Sequence, residues 1–413
     1  MDSPPAPDAP RPGIRSALEV LLVTTRLGVT SFGGPIAHLG YFRDEYVRRR
    51  QWLDEATYAD LIALCQLLPG PASSELGIAI GILRARLLGG FAAWLGFTLP
   101  SAILLTAFAF LVRALGSGDL AWLHGLQVVA VVVVANAVWS MGRSLTPDRP
   151  RLLVALGGAV LATGLPPGWG QVAAILLGAA AGVAFFRGGG EASGDAGGDR
   201  LQVEVPIRRV TGAVVLVAFG ALLIGLPILR QVVTFRPLAV FESFFVVASF
   251  VFGGGHVVLP LLQSQVVPPG WVSNAQFLAG YGAAQAVPGP LFTFGAYLGA
   301  LAAGGVPGAA VGLVGIFAPS FFLVIGTLPF WDALRRRTGF RSVLTGVNAA
   351  VVGLLAAALY NPVWTSTVHR PTDFLLILVG FAVVFVLRAP PWVAVIILGL
   401  LGAAFHGLSL LHL

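Results

Sequence analysis

The chain has 413 residues, of which 57% are apolar and 10% charged, with a mean hydropathy of +0.88. Soluble domains run at roughly 45–50% apolar and about 25% charged, so a soluble globular class is excluded. The net charge of +7 rests on 25 arginines with no lysine, and it reads as loop charge flanking membrane helices, with no nucleic acid as partner.

Residues 1–13 are proline-rich and acidic and read as a short disordered tail, not a signal peptide. Apolar segments follow at about 16–32, 57–68, 75–88, 90–113, 120–142, 152–165 and 170–186, all within a first repeat spanning 14–186. The polar stretch 187–206, with Gly-Gly-Gly and Ser-Gly-Asp runs, reads as a flexible linker. The next apolar segment, 211–229, lies in an unpaired transmembrane helix, 207–230, with no counterpart in the first repeat. A second repeat, 231–413, then offers segments at about 238–254, 275–287, 292–304, 307–330, 343–360, 373–387 and 391–411. A membrane-spanning helix needs about 20 apolar residues, whereas barrel strands would be shorter and alternating. The fold class is an all-α polytopic integral membrane protein, and the lipid bilayer is its first partner.

The two repeats share their punctuation. Phe32-Gly33-Gly34, Trp52, Gln66, Pro69-Gly70-Pro71 and Pro100-Ser101 recur as Phe252-Gly253-Gly254, Trp271, Gln285, Pro288-Gly289-Pro290 and Pro319-Ser320. From Trp to Gln is 14 residues in both copies, and 29 residues separate the last proline of Pro-Gly-Pro from Pro-Ser. Duplicated apolar halves broken by glycine and proline are a construction of secondary transporters. The segments flanking each Pro-Gly-Pro are too short to span alone, and the prolines break the helix. Each pair therefore reads as one discontinuous crossing with an unwound midpoint beside a cavity, since irregular backbone at that depth needs protein or water around it. Six crossings, the unpaired helix and six more give 13, with the two repeats inverted. From a cytoplasmic N-terminus most arginine-bearing loops then fall inside; the loop with Arg43 and Arg48 to Arg50 does not.

Several side chains near the breaks suit an anion. Gly33-Gly34, followed by Pro35, and the second-copy Gly253-Gly254, followed by Gly255, can offer glycine backbone amides, with a helix N-terminus beyond, or can simply serve close helix packing. His38 and His256 follow these motifs two positions out of register and are proton carriers, hydrogen-bond donors or structural residues. Gln66 and Gln285 are buried amides that either tie the broken backbone or face a substrate. Beyond the breaks the repeats differ, with Ser73, Ser74 and Glu75 in one and Thr293 and Tyr297 in the other. Arg26, inside the first apolar segment, pairs with Glu75, binds a doubly charged anion, or snorkels. Trp52 and Trp271 read as interfacial anchors, Pro100 and Pro319 as kinks, and Glu242 as interfacial. The lone Cys65 excludes an intramolecular disulfide, and no Walker loop, metal-ligand cluster or nucleophile motif is present, so no cofactor and no enzyme are expected.

The stretches Thr-Ser-Phe-Gly-Gly-Pro-Ile-Ala-His at 30–38, Gln-Leu-Leu-Pro-Gly-Pro at 66–71 and Gln-Ala-Val-Pro-Gly-Pro at 285–290 resemble the chromate ion transporter family, over about 16–411. The resemblance implies export of chromate from a bacterial cytoplasm across the inner membrane, chromate resistance, and sulfate as a competing oxyanion. By motif it carries a site onto Arg26, Phe32, Gly33, Gly34, Pro35, His38, Gln66, Pro69, Gly70 and Pro71. In the second half it carries Phe252, Gly253, Gly254, Gly255, Gln285, Pro288, Gly289 and Pro290. After Pro71 this chain has its own pattern, Ala-Ser-Ser-Glu, which bears on preference among oxyanions. A transporter of sulfate or another oxyanion is the near alternative, an intramembrane enzyme or a scaffold the remote one. A second copy in a homodimer is a further partner the sequence leaves open.

Overall fold

The computed structural model describes residues 13–115, 121–166, 169–186, 205–252, 255–334 and 338–411. The expected tail, nearly all of the linker, and Gly253 and Gly254 lie outside them. The described chain is helical, and five helical stretches are long and apolar enough to cross a membrane: Ala72–Ala114, His124–Leu145, Arg209–Val232, Leu291–Phe330 and Ser342–Trp364. Shorter apolar helices include Trp169–Phe185, Pro371–Val386 and Pro391–Gly402.

The first repeat opens with α1 (Ile14–Thr30), α2 (Gly34–Phe42), a π-helical turn (Arg43–Arg49) and α3 (Glu55–Leu67). Two chemical signals bound α3. Asp54 caps it by accepting from the Thr57 amide, and Leu68 is extended because a residue before proline is pushed out of the α region. The next helix, α4 (Ala72–Leu115), is a hairpin: Ala85 and Arg86 are non-helical, and Gly81 lies so close to the Gly89 carbonyl that no Cβ would fit. Then come α5 (Ala121–Leu145), α6 (Arg149–Gly164) and α7 (Trp169–Phe185). Helix α8 (Arg209–Val232) is peripheral, with 11% of its apolar window buried.

The second repeat follows the same plan. It has α9 (Arg236–Ser249), α10 (Val258–Val266), α11 (Asn274–Ala284), α12 (Phe294–Gly299) and α13 (Gly305–Thr327). A short α14 (Trp331–Leu334) leads to α15 (Thr338–Ala358), α16 (Pro371–Phe381) and α17 (Pro391–Leu411). Ser273 and Gln276 form a capping box on α11, at the place in the repeat where Asp54 caps α3. Arg86 (φ 56°) and Gly305 (φ 60°) make the same hairpin turn at corresponding positions, one with arginine and one with glycine.

The chain reverses at each Pro-Gly-Pro instead of passing straight through. Tyr58 donates to the Leu39 carbonyl at 2.6 Å and Arg43 pairs with Glu55 at 2.8 Å, so α3 runs antiparallel to α2. His38 meets Ser73, and Phe42 lies against Gly77, so the first arm of α4 runs back alongside α2. In the second repeat Gln263 bonds Asn274 while His256 bonds Tyr281, and Tyr297 reaches back to the Gln276 carbonyl. A single discontinuous crossing per broken pair is therefore not the path taken. The reason is the left-handed glycine in the middle of each motif, Gly70 at φ 140° and Gly289 at φ 104°, which turns the backbone where flanking prolines have already ended the helix.

Two layers result. One holds α1, α4, α8, α9, α12 and α13; the other holds α5, α6, α7, α15, α16 and α17, with α11 against α5 joining them. The run Val128–Val134 of α5 is at most 1% exposed and forms the centre of that second layer. Helix α13 starts beside the end of α4, its Gly305 lying near Phe110, and returns along it so that Phe317 and Phe321 pack on Trp94.

Candidate functional site

The break of each repeat is held by the other repeat. The Gly70 amide donates to the Val251 carbonyl at 2.8 Å, and the Gly289 amide donates to the Ser31 carbonyl at 3.0 Å. Each Pro-Gly-Pro of one repeat is thus tied to the residue before Phe-Gly-Gly of the other. A Cβ on Gly70 would lie 2.8 Å from Ser320 Oγ, and one on Gly289 would lie 2.8 Å from Ser101 Oγ. The two amide ties and the two serine contacts are exchanged between the repeats, whereas Glu75 beside Gly70 has no counterpart beside Gly289.

Polar groups gather around these ties. Ser31, His38, Ser73, Ser74, Glu75, Thr98, Ser101, Thr293 and Ser320 are all at most 2% exposed, so the middle of the bundle is closed in this conformation. His38 Nδ1 lies 3.3 Å from Ser73 Oγ, and its ring packs on Phe97. The Glu75 carboxylate sits against Gly70 and faces Ser320 Oγ without hydrogen-bond geometry, leaving both its oxygens unpartnered. The hydroxyls of Ser31, Ser74, Thr98 and Ser320, His38 Nε2 and the Gln285 amide nitrogen are likewise buried without partners. Buried polar groups are normally satisfied, so these groups are free to take up ordered water or a polar guest.

The backbone adds donors at the same level. Helix α2 begins at Gly34, after Gly33 and Gly34 at φ 99° and 79°, and α4 begins at Ala72 directly after the break. In the second repeat the helical turn at Gly255 leads into α10, and the turn at Leu291 leads into α12. Helix N-termini carry unsatisfied amides and the positive end of the dipole.

Other expected residues lie elsewhere. Arg26 is exposed on α1 and forms no ion pair with Glu75; the buried face of that helix is Val20, Val23, Thr24, Leu27 and Gly28. Gln66 is exposed, not buried, and Gln285 is half-buried. Tyr297 is turned away from the break, stacking on Phe294 with its hydroxyl bonded to the Gln276 carbonyl at 2.8 Å. The Thr293 hydroxyl caps its own turn on the Pro290 carbonyl. His256 is tied to the Tyr281 hydroxyl at 2.7 Å, and Phe32 and Phe252 are half-buried, the former near Trp392 at 6.0 Å. Glu242 is buried and paired with Arg230 at 2.7 Å. Pro69, Pro71, Pro288 and Pro290 frame the two turns, while Pro35 stands in the first turn of α2.

Ser31, Thr98, Ser101 and Ser320 were not among the expected side chains, although Ser101 and Ser320 stand in the Pro-Ser pair that recurs in register.

A model of the family described as chromate transporter matches residues 18–183 and 238–403. The chain is 29% identical over 350 residues to a chromate transport protein of Pseudomonas aeruginosa, covering 80% of this chain and 77% of that one. It is 26% identical to the chromate transport protein of Cupriavidus metallidurans over the full length of both. An uncharacterized transporter of Bacillus subtilis is 32% identical over 126 residues, which is 30% of this chain but 68% of that protein. No solved structure matches the chain.

Proposed function

The chain belongs to the chromate transporter family, and from that premise we propose that it is a secondary transporter carrying chromate out of a bacterial cytoplasm through the plasma membrane. The observation that carries this reading is the reciprocal tie of each Pro-Gly-Pro break to the residue before Phe-Gly-Gly of the other repeat, with helix N-termini and unpartnered hydroxyls close by. Chromate is a tetrahedral dianion; amides, hydroxyls and helix N-termini are the donors such an ion needs, and no resident metal is required.

The repeats are inverted in this reading, and the paired short helices are re-entrant hairpins entering from opposite faces. Support comes from the direction of α13 against α4 and from the arginines. Arg50 and Arg84 both bind Glu19, so the loop with Arg43 to Arg50 shares a face with Arg84 and Arg86. That loop, an exception to the positive-inside bias when each broken pair counts as one crossing, conforms to it when the chain turns back. The site lies where the breaks meet: Gly33, Gly34, His38, Gly70, Ser73, Ser74, Glu75, Gly289, Ser101 and Ser320. Arg26 and Gln66, both exposed close to a break, belong to the approach. Alternating access follows when the two repeats, packed through small residues, rock about this level.

The membrane field favours export. An inside-negative potential contributes about 2.3 kcal/mol per charge per 100 mV, so roughly 4–5 kcal/mol for a dianion. Each decade of concentration costs about 1.4 kcal/mol, and three decades are within reach. Chromate resistance of the cell would follow from such export.

The test is uptake of labelled chromate into inside-out vesicles under an imposed potential, with and without excess sulfate. Potential-driven uptake suppressed by sulfate is expected. Uptake no greater than in vesicles lacking the protein refutes the reading, and uptake of sulfate in preference to chromate moves the substrate to sulfate.

A further inference from the structure

Glu75 stands apart within this site. It is 0% exposed, occupies the first turn of α4, and has neither oxygen hydrogen-bonded. Against it lie Gly70 and, from the other repeat, Ser320. The titratable groups around it are few: Cys65 on α3, fully buried, and His38 on α2, already engaged with Ser73. Among the described residues no arginine is paired with it. Arg26 of α1 is exposed, Arg49 of the π-helical turn and Arg50 just after it bind Glu45, and Arg84 of α4 binds Glu19. From α11 and α12 the titratable groups are Tyr281 and Tyr297, whose hydroxyls bond His256 and the Gln276 carbonyl. Helix α13 supplies the Ser320 hydroxyl and no charge.

An ionised carboxylate buried without a counter-charge is among the costliest arrangements in a protein interior. A dianion brought to the adjacent break would add like-charge repulsion at short range. A neutral carboxylic acid avoids both penalties and turns one acceptor oxygen into an O–H donor aimed into the site.

Resting on the oxyanion site proposed above, we propose that Glu75 is a proton-binding site coupled to transport: the anion occupies the space between the breaks only when Glu75 is protonated, and the proton travels with it. On the loading side water delivers the proton, forming the O–H bond of Glu75. When the site opens to the other side that bond breaks and the proton returns to water. Each cycle then moves one negative charge net instead of two, and efflux runs against an outside-acid gradient. Ser320, contributed by the opposite repeat, senses whether the repeats are closed over the acid.

The experiment uses the full-length protein in proteoliposomes, with chromate at alkaline pH as the probe, its uptake followed by label and lumenal pH by a trapped dye. An uncoupler control separates carried protons from leak. The wild type is expected to acidify the lumen in step with chromate entry, by a single proton per anion. Glu75→Gln is expected to lose that proton signal and the dependence of uptake on pH, and Glu75→Asp to restore part of both. Chromate entry into wild-type liposomes without acidification overturns the proton coupling while leaving the transporter reading standing. An unchanged proton-to-anion ratio in Glu75→Gln overturns the assignment to Glu75. If that variant carries too little anion for a ratio, Glu75→Asp decides: a proton-to-anion ratio and a pH dependence of uptake both unchanged from the wild type overturn the assignment to Glu75. No chromate entry in the wild type overturns the transport reading, and the coupling with it.

Discussion

Replacing Gly289 or Gly70 by alanine tests the meeting of the two breaks most directly. Gly289 holds φ at 104°, and an added methyl would lie 2.8 Å from Ser101 Oγ and 3.2 Å from the Phe97 carbonyl. A non-glycine residue in such backbone costs about 1–3 kcal/mol, and an unaccommodated methyl in a packed interior adds about 1–3 kcal/mol. The expected loss is about 2–6 kcal/mol for Gly289→Ala. Gly70 holds φ at 140°, with Ser320 Oγ and the Glu75 carboxylate in the way, so Gly70→Ala carries at least the same cost. The control is Gly270→Ala. That glycine is also left-handed, at φ 71°, but nothing lies within 4 Å of an added Cβ, so only the backbone cost of about 1–2 kcal/mol applies. Thermal unfolding in detergent ranks the three, and chromate uptake into vesicles is read in parallel. Both site variants should melt well below Gly270→Ala and lose transport, while the control transports. Equal melting of all three, with uptake intact, would refute the reciprocal packing of the breaks.

Three further outcomes are expected. Because Cys65 is the sole cysteine and is 1% exposed, single-cysteine variants have a quiet background; Gly270→Cys should react with an impermeant maleimide in intact cells and Arg48→Cys only in inside-out vesicles, whereas labelling from one side alone rejects opposite entry of the hairpins. Burial works to raise the Glu45 carboxyl, but hydrogen bonds from Arg50 and Arg49 outweigh it and hold it below its ordinary value of 4.5. The pairs therefore contribute stability above that value and lose it as pH falls through the lower folded one, so acid should depress the melting temperature less in Glu45→Gln than in the wild type. Arg26→Gln removes no ion pair, so melting should hold while the chromate concentration for half-maximal uptake rises several-fold, with partial recovery in Arg26→Lys; an unchanged concentration dependence would separate Arg26 from the approach path.

Much of the chain could be read without coordinates, and the reasons are local. Apolar length and the scarcity of charge decide the solvent, and a helix is what satisfies backbone hydrogen bonds in lipid. Pro-Gly-Pro ends a helix wherever it stands, and Trp52-Leu53-Asp54 and Trp271-Val272-Ser273 announce capped helix starts through their own side chains. The duplication is arithmetic on the sequence: Arg86 and Gly305 hold one turn geometry because they hold one place in the repeat.

Direction after a break is a different matter. Twelve apolar residues read the same whether they continue across a membrane or fold back, since hydropathy carries no direction; the reversal at Gly70 and Gly289 rests on Tyr58 meeting Leu39 and Tyr297 meeting Gln276, contacts between separate segments. Burial is equally non-local. Arg26 and Glu75 were natural partners by opposite charge, yet helix rotation sends one outward and the other beneath Ser320, a residue 245 positions further along the chain. The sequence by itself determined a duplicated helical membrane protein of the chromate transporter kind and where its helices break, because those follow from composition and backbone chemistry. The tertiary structure alone decided that each Pro-Gly-Pro ties to the residue before Phe-Gly-Gly of the other repeat, and which polar groups are shut in beside these ties, because those depend on distances no single stretch of chain contains.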